Sequence, residues 1–148
     1  MEKPRITWLV RRGDEENFTR SPEFHAGVYS QQEDMILFLQ IWNNRYGTEA
    51  VKSLEDFGIA VTFDKEEDSA LLKYLRFRYG QTVFEPVISG NTGVIHIPDY
   101  ISLSGAVNDG SDENIENYIV LQLSLAVPPD VQLKLNDLKA MTFSITNL

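Results

Sequence analysis

Two histidines, His25 and His96, are the natural starting point for chemistry, since an imidazole titrates near neutral pH and is the commonest general base. His96 stands between Ile95 and Ile97 in an alternating segment, which predicts a strand residue on the face opposite two apolar side chains. His25 lies in a stretch with no periodicity. Neither has an acidic, serine or cysteine partner at a spacing that marks a dyad or triad. The chain has no cysteine, so disulfides, thiolate catalysis and cysteine-based zinc sites are excluded. Glu66, Glu67 and Asp68 are neighbours in a polar run with nothing to desolvate one of them, whereas glycosidase chemistry needs two carboxylates in different environments across a cleft. Gly90-Asn91-Thr92-Gly93 lacks the lysine and the following helix of a phosphate-cradling loop. No catalytic residue is assigned, and the chain is read as non-enzymatic, without cofactor.

Metal chemistry is sought next in Asn108 to Asn114, a loop rich in oxygen ligands. With Gly110 as the sixth position of a calcium loop, Gly105 and Val107 fall where ligands belong, although Glu116 falls on the twelfth. The loop therefore reads as a solvated acidic turn. A non-motif calcium site with Asp64 or Asp68 is the alternative, and no metal ligand is assigned. Arg12-Gly13-Asp14 and the sequon Asn17-Phe18-Thr19 are short matches that leave this reading unchanged.

The aromatic residues are more informative. Trp42-Asn43-Asn44-Arg45-Tyr46 joins two rings to amide and guanidinium donors, a set that suits a protein contact or sugar hydroxyls. The competing reading is that Trp42 ends a buried strand and Asn43-Asn44 begins a turn. Gly13 to Gly27 is aperiodic and carries Phe18 and Phe24 as spaced anchors, so it reads as an extended arm or a long loop over its own sheet. The partner-contact candidates are thus Phe18, Phe24, Trp42, Asn43, Asn44, Arg45 and Tyr46.

The elements that would position these residues are strands. Ile119, Leu121, Leu123, Leu125 and Val127 alternate with Val120, Gln122, Ser124 and Ala126, and Met141, Phe143 and Ile145 with Thr142, Ser144 and Thr146. Met35 to Trp42 is apolar on both parities, which predicts a central strand covered on both faces. Ile59–Phe63 and Leu71–Tyr79 are further strands, with Lys73 breaking the second pattern once; Ile6–Val10, Thr82–Val87, Val94–Ile97 and Ser102–Val107 are weaker ones. Glycines and prolines punctuate these runs. Thr48–Phe57 and Leu133–Leu138 are the two places for a short helical turn. Eight or nine short strands describe an all-β antiparallel sandwich, immunoglobulin-like or jelly-roll-like, in a single domain spanning residues 1–148.

Composition supports a globular domain: 43% of residues are hydrophobic and 11% aromatic, too many for a disordered chain. The net charge of −9 repels phosphate backbones and anionic lipid heads, so neither nucleic acid nor a membrane is an expected partner. Arg11–Arg12 and the Lys73, Arg76, Arg78 group do not interleave with aromatics into a recognition motif. The apolar run Ile6–Val10 is too short for a secretory signal, and synthesis in the cytoplasm as a soluble protein is expected.

An acidic, cysteine-free, strand-rich chain with a central strand Met35–Trp42, the stretch Leu54–Phe63 and a closing strand Lys139–Thr146 resembles the immunoglobulin-like modules of tailed-bacteriophage virions, found in baseplate, tail and capsid-decoration proteins. The two cysteines that bracket a tryptophan in antibody domains are missing, and no functional residue carries over. The resemblance implies a structural protein that acts through subunit contacts, in an oligomer or a larger assembly such as a virion. The second reading is a carbohydrate-binding module, with or without calcium, using Trp42 or Tyr46. The third is a small hydrolase using Glu66, Asp68 or Asp109.

Overall fold

The computed structural model describes residues 1–13, 15–20, 23–28, 35–128 and 138–146. Two antiparallel sheets stack face to face. One has the order β2 (Thr19–Arg20), β1 (Ile6–Arg12), β4 (Met35–Asn43), β10 (Tyr118–Leu125), β6 (Leu75–Tyr79), β7 (Thr82–Phe84). The other runs β3 (Glu23–Val28), β11 (Leu138–Thr146), β5 (Gly58–Phe63), β9 (Thr92–His96), β8 (Val87–Ser89). The fold is the all-β antiparallel sandwich that the alternation predicts, with eleven strands among the described residues.

The period-2 pattern explains the core. Leu37, Leu39 and Ile41 of β4 and Leu121, Leu123 and Leu125 of β10 point inward and are fully buried. They meet Ile59, Val61 and Phe63 of β5 and Met141 and Phe143 of β11. Trp8 of β1 stacks on Phe143 across the two sheets, with ring centroids 5.8 Å apart. Strand β4 is central, between β1 and β10, as its two apolar faces predict. Cover on its outer face fades along the strand: Trp42 is fully buried and Gln40 nearly so, Phe38 is half-buried, and Ile36 is 40% exposed. Among the described residues no second layer lies there, and Arg11 and Arg45 cap Phe38 and Trp42.

Several local expectations give way to tertiary pairing. Thr48–Phe57 is not helical, because other segments take its backbone groups: Val51 N–H donates to Gly105 O, and Leu54 and Leu103 exchange both bonds at 2.9 and 3.0 Å. A Cβ on Gly105 would stand 2.0 Å from Val51 O, so only glycine permits this approach. Ser102–Val107 forms no strand beyond that single bridge. Glu66–Tyr74 is a 3₁₀ segment, and the strand expected from Leu71 begins at Leu75. The adjacent Leu71 and Leu72 are both buried there, which a strand with one covered face does not allow. Of Leu133–Leu138, only Leu138 lies within the described residues, as the first residue of β11. Thr82–Val87 is cut at Glu85–Pro86, where the chain leaves β7 in one sheet for β8 in the other. At the opposite flank β2 pairs with β1 and β3 with β11, so the aperiodic N-terminal stretch also edges both sheets. No described helix is long and apolar enough to cross a membrane.

Candidate functional site

At the end of β4 the run from Trp42 to Tyr46 organises one pole of the sandwich. Asn43 is fully buried; its Oδ1 accepts from Arg5 N–H at 3.0 Å, and its Nδ2 donates to Lys52 O at 2.9 Å and Leu103 O at 3.1 Å. Asn44 takes a left-handed φ of 60°, a conformation asparagine tolerates, and donates to Glu49 O and Gly105 O at 2.8 and 2.9 Å. Its own carbonyl accepts from Asn108 Nδ2 at 2.7 Å. Asn117 Nδ2 donates to Ser104 O and Ala106 O at 2.9 and 3.0 Å. Four asparagine amides thus satisfy the backbone of two loops that have no ladder of their own.

This decides between the two readings of the aromatic cluster. Trp42, Asn43 and Asn44 are at most 2% exposed, so they offer a partner no side-chain surface. Trp42 stacks on Tyr118 at 4.6 Å and donates its indole N–H to Gln40 Oε1 at 2.9 Å. Arg45 and Tyr46 remain at the surface. The Arg45 guanidinium lies 5.2 Å over Trp42 and 4.7 Å over Tyr46, and Tyr46 is 62% exposed.

Beside this pole a cavity of about 710 Å³ opens on the outer face of the six-stranded sheet. Leu9 and Gln40, cross-strand partners in β1 and β4, line it together with Phe18, Arg11, Arg20 and Arg45. Phe18 is half-buried, with the Arg11 guanidinium 5.3 Å above its ring. Glu15, Glu16 and Asp112 line it too, so guanidinium and carboxylate charges are mixed at its mouth. The side chain of Phe24 lies outside the described residues, and its backbone pairs with Met141.

The acidic loop after Asn108 is tied to itself. Asp109 Oδ1 accepts from Ser111 N–H at 3.0 Å and Asn114 Nδ2 at 2.5 Å. The Ser111 N–H and then the Asn114 amide hold the Asp109 carboxyl below its ordinary value. Asp64 Oδ1 accepts from the Thr142 hydroxyl at 3.0 Å. These contacts are those of an acidic turn with its own donors. The side chain of Asp68 lies outside the described residues.

A different trio converges instead. His96, the last residue of β9, places its Nε2 3.2 Å from Asp56 Oδ1 and 3.8 Å from Asp99 Oδ1. His96 faces solvent, as the alternation predicts, yet it has the acidic neighbours that no sequence spacing revealed. Asp99 is three residues on, a weak signal. Asp56 is 40 positions upstream and is brought there by the register that sets Gly58 against His96. His25 is paired through its backbone to Ala140, and its side chain lies outside the described residues.

A further surface feature is the flank where β7 and β8 end the two sheets. Val87 is 75%, Ile88 44% and Val83 49% exposed. All three residues of β8 are exposed. The sequence matches no protein-family model and no curated protein.

Proposed function

We propose that this chain is a non-enzymatic assembly protein that associates with further copies of itself through the β7–β8 flank, the behaviour expected of a virion structural module. The observation that carries this reading is the edge strand β8, whose outer backbone groups have no strand partner among the described residues and whose Val87 and Ile88 are exposed. Val87-Ile88-Ser89 carries no charge in a chain of net charge −9, so two like-charged copies can meet there without opposing carboxylates. An antiparallel β8–β8 pairing about a two-fold axis would join two five-stranded sheets and repeat each apolar contact twice. Burying the exposed parts of Val83, Val87 and Ile88 is worth about 3 kcal/mol per copy. Doubled, that only offsets the lower end of the roughly 4–15 kcal/mol association cost. Backbone bonds must supply the rest, so association is concentration-dependent.

Light scattering on a sizing column, from low to high protein concentration, tests this. The expected result is a molar mass that rises above 16.9 kDa with concentration. Ile88→Lys, on the exposed edge, is expected to hold the chain at the monomer mass with an unchanged unfolding midpoint. A wild-type chain that stays monomeric throughout, or an Ile88→Lys variant that associates as well as wild type, would overturn the reading. Of the two rings named for the carbohydrate-binding alternative, Trp42 is buried and Tyr46 is 62% exposed.

A further inference from the structure

We propose that Asp56, His96 and Asp99 form a surface site for a divalent transition-metal ion of the zinc type. The proposal is independent of self-association. One imidazole nitrogen and two carboxylate oxygens, each able to supply one ligand atom, lie within 4.8 Å of one another. A zinc ion at the usual distances of about 2.0–2.2 Å to nitrogen and oxygen separates tetrahedral donors by roughly 3.3–3.6 Å. The His96 nitrogen is 3.2 and 3.8 Å from the two carboxylate oxygens, within a few tenths of an ångström of that spacing, and the two oxygens lie within 4.8 Å of each other. A mixed nitrogen–oxygen set suits zinc, manganese or iron, whereas calcium and magnesium favour oxygen alone.

The frame is fixed by the fold rather than by the trio. Ile97 N–H donates to Phe57 O at 2.9 Å, tying the segment beside Asp56 to the one beside His96. Ile101 N–H closes on Pro98 O at 2.9 Å and sets the turn that carries Asp99. Asp56 holds φ at 47°, a left-handed backbone for a residue with a Cβ. Among the described residues the only ion pairs of both aspartates are with His96. Its side chain is 59% exposed, and theirs are 73% and 88% exposed. Exposed pairs of this kind add little stability, so the trio is held in place by the fold and its side chains remain available to a ligand. A divalent cation would offset the mutual repulsion of the two carboxylates and leave a fourth coordination position open to water or to a side chain of another molecule.

Calorimetric titration of zinc chloride into EDTA-treated, desalted protein tests the site. Wild type is expected to take up one zinc ion per chain. His96→Ala, Asp56→Asn and Asp99→Asn should each weaken uptake by at least about tenfold, the scale seen when even an outer partner of a ligand is lost. His25→Ala and Asp109→Asn should bind like wild type. Since the three residues are exposed, their variants keep the wild-type unfolding midpoint without metal, which separates lost binding from lost folding. No uptake by wild type, or uptake that survives His96→Ala, overturns the proposal.

Discussion

Replacing Asn43 by alanine tests whether the buried amides hold the pole of the sandwich together. Asn43 serves three backbone groups, and their fates differ. Arg5 N–H loses its acceptor, and Lys52 O loses its donor. Leu103 O keeps the bond from Leu54 N–H at 2.9 Å and is only partly deprived. An orphaned buried polar group costs about 1–3 kcal/mol, and because the Arg5 and Lys52 groups are only part-buried the loss comes to about 2 kcal/mol. For a domain of this size that lowers the thermal midpoint by roughly 4–8 °C. Urea unfolding followed by circular dichroism measures it, with an unchanged denaturant slope showing that the transition stays two-state. Asn43→Asp should fare no better at neutral pH: it keeps the acceptor for Arg5 but sets a carboxylate against two carbonyls. A loss below about 1 kcal/mol in Asn43→Ala, or an Asn43→Asp protein as stable as wild type, would refute the argument.

Gly110 has φ of +76°, and a Cβ there would stand 2.1–2.5 Å from the Tyr46 ring. Gly110→Ala should therefore cost about 1–2 kcal/mol in urea unfolding, the usual penalty for a left-handed residue with a Cβ, and expel Tyr46 from its stack with Arg45. A cost under half of that would contradict the left-handed penalty. The Asp109 carboxyl has its pKa lowered on folding, so its contribution is present above the ordinary value of 3.8 and is lost as pH falls through the folded value. The unfolding midpoints of wild type and Asp109→Asn should differ at pH 6, and the gap should narrow as pH falls below 3.8. A gap that keeps its size as the pH falls would contradict this sign.

The strands that carry the core are legible because alternation reports burial directly: β4, β5, β10 and β11 lie where Met35–Trp42, Ile59–Phe63, Ile119–Val127 and Met141–Ile145 put them. What escapes a one-dimensional reading is pairing between distant segments. Thr48–Phe57 has the cap and the glycine of a helix, yet Gly105 and Leu103 claim its backbone groups. The Trp42–Tyr46 cluster has a composition common to hot spots and to buried turns, and only the contacts of Asn43 and Asn44 separate the two. The Asp56–His96–Asp99 trio depends on the β5–β9 register, which no local pattern encodes.

The central position of β4 also bears on how the chain is made. Seven of the eight residues from Met35 to Trp42 are apolar, with no charge, proline or glycine, the composition of a segment prone to pair with copies of itself. During synthesis β1 already stands ready on one side of it. Its other neighbour, β10, is translated roughly 76 positions later, since Trp42 pairs with Tyr118. At about 5–20 residues per second, one side of the most aggregation-prone segment waits about 4–15 s for its partner. Glu33 and Asp34 before it, and Asn43, Asn44 and Arg45 after it, are then gatekeepers on the nascent chain. The asparagines that later lock the pole first serve to keep one growing chain from another.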